Sequence, residues 1–220
     1  MNRGASFIAA AILAAAASSG AAAQTAGGAH AGHDHATAPA VAPVPAVTEE
    51  DRILGDANAP VTVIEYASFT CGHCANWHEQ VWPTFKARFV DTGQVRFVFR
   101  DLPTAPQNLS QTAAMVARCA TAEQFPEVAG ALMSGQAAMY ESRDADAWLL
   151  GAVEAGELGV DQLQACLGDP EAGAGLAASV QGARDAGVAG TPTFFVNGQR
   201  VDGDLASLEA AIAPLIDQGG

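Results

Sequence analysis

Two cysteines set two residues apart, in Cys71-Gly72-His73-Cys74, carry the most reactive chemistry in this chain. They can close a small disulfide ring, and what flanks them decides what the ring does. Residues 61–66 (VTVIEY) are β-branched and aromatic and predict a strand. Cys74, Trp77, Val81 and Phe85 then recur at helical spacing. The pair therefore falls where a strand ends and a helix begins. Unpaired N–H groups and the positive end of the helix dipole favour a thiolate there. Cys71, the first of the two, is expected to be the solvent-facing nucleophile, with His73 adding a donor and, when protonated, a positive charge. Cys74, deeper in the helix, is expected to be buried and to attack the mixed disulfide or be displaced from it. The competing readings are a structural cross-link and half a zinc site. Zinc requires further ligands, and the folded part has no second C-x-x-C and no H-x-x-x-H pair.

The elements that must position this pair are legible in outline. A helix is expected to run to about Phe89, kinked or divided by Pro83. Residues 95–100 (VRFVFR) predict a central strand, ended by Asp101-Leu102-Pro103. From about Asn108 to Gly187 apolar residues recur at three- and four-residue steps broken by Gly and Asp, which predicts four or five short helices. Strand character returns at residues 193–196. Asn197-Gly198 signals a hairpin back through residues 199–201, and Asp204 can cap a last helix with Leu205, Leu208, Ile212 and Leu215 on one face. Strand–helix–strand implies a right-handed parallel crossover and the hairpin adds antiparallel strands. The fold class is therefore α/β, a mixed sheet flanked by helices with an inserted all-helical domain.

The ends and the composition set the compartment. Met1-Asn2-Arg3 is a short basic start, residues 5–17 are apolar, and Ala21-Ala22-Ala23 offer small residues for cleavage before Gln24. Residues 1–23 thus read as a cleaved signal peptide, the alternative being an uncleaved anchor, for which the stretch is short and Ala-rich. Residues 24–50 read as an Ala/Pro/His-rich linker, extended and unpacked around residues 40–45. Its His30, His33 and His35 could ligate Cu(II), Ni(II) or Zn(II), yet without neighbours to fix the rings they read as a solvated tail. The 24 acidic residues against 10 basic ones, a net charge of −14, argue against nucleic acid and anionic membrane surfaces as partners. An exported protein resides where disulfides persist, so Cys119 and Cys166, both on apolar helical faces, are expected to bond to each other rather than remain free thiols.

The chain resembles the DsbA-like thiol:disulfide oxidoreductases, a thioredoxin fold with a helical insertion. The resemblance covers about residues 51–217. It rests on residues 63–74 (VIEYASFTCGHC), 95–103 (VRFVFRDLP), the helical block and 190–198 (GTPTFFVNG). It implies a thioredoxin-like domain over 51–104 and 187–220, and an inserted helical domain over 105–186. One departure concerns the dipeptide between the cysteines, on which redox poise depends: DsbA proper usually has Pro-His, whereas Gly72-His73 is the pair of protein disulfide isomerase.

Several roles follow from the resemblance alone. Glu65, on the strand, matches a buried acid that moves protons to and from the second cysteine. Pro192 matches a cis-proline facing the disulfide, which presents the Thr191 backbone to an extended substrate, while the Thr191 side chain can tune Cys71. The implied activity is donation of the Cys71–Cys74 disulfide to unfolded exported proteins in the periplasm. Re-oxidation falls to a membrane quinone-linked partner resembling DsbB; no cofactor is expected, and a monomer is. A reductase or isomerase of the same fold is the first alternative. A metal-binding protein using the histidine-rich segment is an alternative of another class. His78 is read as an ordinary surface helix residue, Trp82 as core, Trp77 as core or substrate rim, and Phe69 as a rim candidate.

Overall fold

The computed structural model describes residues 43–216. A five-stranded sheet has the order β1-β3-β2-β4-β5. Its strands are β1 (Arg52–Leu54), β2 (Val61–Ala67), β3 (Val95–Asp101), β4 (Thr193–Val196) and β5 (Gln199–Val201). β2 and β3 are parallel, paired from Val61↔Val95 to Ala67↔Asp101, while β1 joins β3 and β4 joins β2 antiparallel. Both central strands are buried along nearly their whole length, as expected of a parallel pair covered on both faces.

Between β2 and β3 run α1 (Gly72–Gln80), α2 (Trp82–Phe85) and a π-helical turn, Lys86–Val90. The break at Val81 precedes Pro83, which cannot donate a backbone hydrogen bond and divides the helix. Between β3 and β4 lie α3 (Gln107–Arg118), α4 (Phe125–Ser142), α5 (Ala145–Ala155), α6 (Val160–Leu167) and α7 (Pro170–Asp185). α4 is no short helix: its 18 residues run through Gly130 and Gly135. The β4–β5 turn places Asn197 and Gly198 at φ 43° and 83°, the left-handed pair that a two-residue hairpin requires. Asn197 also locks this turn to β2, its Oδ1 accepting from the Thr62 N–H at 2.8 Å. α8 (Leu205–Ile216) closes the fold, capped by Asp204 and burying Leu208 and Ile212.

Side chains alternate across the sheet. Val61, Val63 and Ala67 face one way, joining Phe97, Phe99, Trp77, Phe85 and Leu208. Ile64 and Tyr66 face the other, with Val98, Phe195, Ala183 and Val188. The same alternation assigns Glu65 to the face of Val63 and Ala67, the one α1 covers.

Two differences from the sequence reading concern the edges. β1 was not foreseen, being only three residues long. Packing begins earlier than the expected start near Glu50: Val44 and Val47 rest on the second core, and Arg100 gathers the chain there. That buried guanidinium donates to both oxygens of Asp51 at 2.8 Å, to the Pro45 and Ala46 carbonyls at 2.9 Å, and to the Tyr66 hydroxyl at 3.1 Å. Residues 44–47 are therefore packed, not a free linker. His30, His33 and His35 lie outside the described residues.

Candidate active site

Cys71 caps α1. It has extended backbone angles, and its sulfur accepts the Cys74 N–H at 3.3 Å, the place usually taken by a Ser or Asp oxygen. No acidic side chain lies in the first turn of the helix to oppose a negative sulfur. Cys71 is partly exposed, His73 exposed and Cys74 fully buried, and both cysteines are free thiols.

This environment pulls the two thiols apart. Cys71 is held down to about 5 from an ordinary 9.0, foremost by a hydrogen bond from the Cys74 thiol, then by the Thr191 side chain and the N–H groups of Cys74 and His73, against partial burial. Cys74 is pushed strongly upward, first by burial, then by its bond to Cys71 and the nearby Glu65 charge. One cysteine is thus a thiolate and its neighbour a proton holder at neutral pH. His73 contributes through its backbone.

Thr191 and Pro192 lie across from the cysteines, joined by a cis peptide bond. The Thr191 carbonyl is 3.3 Å from Cys71 Sγ, close enough to accept from the neutral thiol. A carbonyl there opposes ionisation, so the donors from α1 and the Thr191 side chain must outweigh it. Glu65 is completely buried and its Oε2 lies 2.8 Å from Nε2 of His78. This corrects the reading of His78 as a surface residue. One helical turn beyond Cys74, its ring turns inward onto β2, against Trp77, Trp82 and Phe99.

Phe69 is also corrected. It is buried rather than on a rim, stacked on Phe99 at 5.1 Å. Trp77 is core, donating its indole N–H to the Gly203 carbonyl at 2.5 Å. Trp82, expected in the core, is only half-buried and lines a partly open cavity of about 520 Å³ between α1–α2 and α4.

The loop before Cys71 is braced by residues that periodicity alone did not single out. Gln136 of α4 donates to the Phe69 carbonyl at 2.7 Å and to that of Cys71 at 3.3 Å. Tyr140, one turn on, donates to the Thr70 carbonyl at 2.9 Å. Ser68 and Ser110 are buried behind the loop with their hydroxyls 2.7 Å apart, and the half-buried Thr104 hydroxyl donates to Ser68 Oγ at 2.9 Å. A polar Gln136 among the apolar residues of α4 was the one available signal. Cys119, at the end of α3, is bonded to Cys166 of α6 with a Cα–Cα separation of 5.5 Å.

The thioredoxin family model matches residues 47–214. An Na(+)/H(+) antiporter NhaA 1 of Salinispora arenicola is 36% identical over 173 residues, 77% of this chain but 25% of that protein. A Rickettsia conorii protein provisionally named a protein-disulfide oxidoreductase is 30% identical over 154 residues, 69% of this chain and 55% of its own length. The chain thus spans a quarter to about half the length of these relatives. Among solved structures, α-DsbA1 of Wolbachia pipientis superposes with a TM-score of 0.67 at 26% identity, covering 78% of this chain and 94% of that one. The chain belongs to the thioredoxin family, and its fold, helical block included, is that of the DsbA-type oxidoreductases.

Proposed function

We propose that this protein is an exported thiol:disulfide oxidoreductase that donates the Cys71–Cys74 disulfide to newly exported proteins. The observation that carries the proposal is the unequal treatment of the two thiols: a capped, partly exposed Cys71 held near 5 beside a buried Cys74 pushed upward. A stabilised thiolate is a good leaving group, so a disulfide containing it is readily reduced by a substrate thiol. A substrate thiolate attacks Cys71 Sγ, and Cys74 leaves as the buried, protonated partner. A second substrate thiolate then attacks the substrate sulfur, forming the substrate disulfide and releasing Cys71 as a thiolate. The Thr191 carbonyl, beside Cys71, is placed to pair with an extended substrate backbone, as in strand addition.

Residues 1–23, read as a signal peptide, support the periplasm as the site of action. A quinone-linked membrane oxidase resembling DsbB would restore the disulfide, and the acting form would be a monomer. Among the described residues no helix is long and apolar enough to cross a membrane. The test is the equilibrium of the cysteine pair with glutathione, run beside refolding of reduced ribonuclease. An oxidising potential together with disulfide formation in ribonuclease supports donation. A potential as low as that of thioredoxin, about −270 mV, refutes it and favours the reductase reading. Gly72-His73 favours an isomerase-like poise as the second reading, and an intermediate potential near −180 mV with faster repair of scrambled ribonuclease selects it.

A further inference from the structure

The contact between Glu65 and His78 is the strongest feature outside the sulfur chemistry. Glu65 Oε2 and His78 Nε2 stand 2.8 Å apart, while Glu65 Oε1 is buried and, among the described residues, has no hydrogen-bond partner. A ring nitrogen and a carboxylate oxygen at that distance hold a proton between them. Either the ring N–H donates to the carboxylate, or the carboxyl O–H donates to the bare nitrogen. The His78 side chain is 11% exposed and forms part of the wall of the 520 Å³ cavity. Glu65 faces the ring from β2 and Cys74 lies one turn back on α1; Glu79 and Lys86 are the charged residues lining the same cavity, and α4 contributes no charged side chain to it.

We propose that His78 is the relay through which Glu65, and through it Cys74, exchanges a proton with water in the cavity between α1 and α4. The inference rests on the disulfide-exchange reading and adds the proton's route. When a substrate thiolate attacks Cys71 Sγ, a substrate–Cys71 bond forms, the Cys71–Cys74 bond breaks, and its electron pair leaves on Cys74 Sγ. Cys74 takes a proton from Glu65, Glu65 is reprotonated by His78, and His78 by cavity water. The second substrate thiolate then displaces Cys71 as a thiolate. The substrate loses two electrons and the cysteine pair gains them. Of the two protons that left the substrate thiols, one ends on Cys74 and the other in solvent. His78 touches no reacting sulfur and works through Glu65.

The test is single-turnover oxidation of a dithiol peptide by the full, oxidised protein, from about pH 5 to pH 8, with and without added imidazole. Wild-type protein that leaves the peptide reduced refutes the exchange reading itself. Given wild-type turnover, His78→Gln keeps a donor toward Glu65 but cannot pass a proton. It is expected to slow the release of Cys74 by about 100-fold, the lower range of what a positioned acid supplies. It should flatten the pH profile while leaving the equilibrium with glutathione where it was. His78→Ala is expected to slow equally and to recover with imidazole, for which the cavity has room. His78→Gln exchanging at the wild-type rate across the range overturns the relay, as does a His78→Ala loss that imidazole leaves untouched.

Discussion

Reducing the Cys71–Cys74 bond should make this protein's stability depend on pH in one particular way. The oxidised form has neither thiol, so the difference between the two redox forms isolates their titration. Cys71 ionises near 5 in the folded protein and near 9.0 as an ordinary thiol. A depressed folded value contributes stability that is fully present above about pH 9 and is lost as pH falls through about 5. Between those limits the reduced form should lose about 1.4 kcal/mol per pH unit. Cys71 is half-exposed, so solvent screening trims the total at pH 8 from about 4 to about 2 kcal/mol by narrowing this window, while the slope inside it stays that of one proton. Cys74 has the opposite sign. Its raised folded value favours the reduced protein below about pH 9 and erodes that advantage above it, so the optimum lies near pH 8–9. The entropic benefit of the small ring to the oxidised form, about 1.6 kcal/mol, does not change with pH and cancels in the slope. At pH 8 the screened thiolate contribution, about 2 kcal/mol, exceeds that benefit, so the reduced form should be the more stable one there. Paired urea unfolding curves of both redox forms from about pH 5 to pH 8.5 measure the slope. A difference that stays constant across the range would mean that Cys71 ionises alike in the folded and unfolded chain.

Other perturbations separate the parts of the site. Thr191→Val removes one hydrogen bond from the Cys71 sulfur and should raise its midpoint by about one pH unit, read from thiolate absorbance; no shift would remove Thr191 from the stabilising set. Replacing Cys119 and Cys166 together with Ala should cost about 4 kcal/mol in chemical denaturation, the loop-closure estimate, and leave the Cys71 midpoint in place. A moved midpoint would show that the second bond reaches the active site. Arg100→Leu leaves Asp51 and the Pro45 and Ala46 carbonyls without their donor, and should lower stability by about 3–5 kcal/mol in the same assay. Wild-type stability would mean that water serves those groups equally well.

What the sequence disclosed tracks what is local. The β-branched and aromatic run at 61–66, the hydrophobic run at 95–100, the helical spacing after Cys74 and the Asn197-Gly198 turn each report their own conformation, and all of these elements are present in the structure. β1 escaped because three residues cannot establish an alternation, and its pairing with β3 is set by the rest of the sheet. α4 is longer than the short helices expected of this block because packing against α1 and α5 carries it through Gly130 and Gly135. The site divides similarly. Cys71, Cys74, Thr191 and Pro192 stand in recognisable strings. His78 does not, because its meaning depends on which face of β2 carries Glu65 and on α1 lying over that face. Phe69 was misread for a related reason: proximity to Cys71 in the chain suggested the rim, while Gln136 and Tyr140 hold the neighbouring carbonyls and Phe99 takes the ring inward. Residues 44–47 looked like linker because the carbonyls that anchor them leave no trace in side-chain composition.

The stabilised sulfur can be tested directly. Titrating the reduced protein by its ultraviolet thiolate absorbance, with the rate of Cys71 alkylation followed over the same pH range, should give a common midpoint near 5. A midpoint near that of free cysteine, about 8.5, would contradict the account, since Cys71 would then be no better a leaving group than any solvent-exposed thiol.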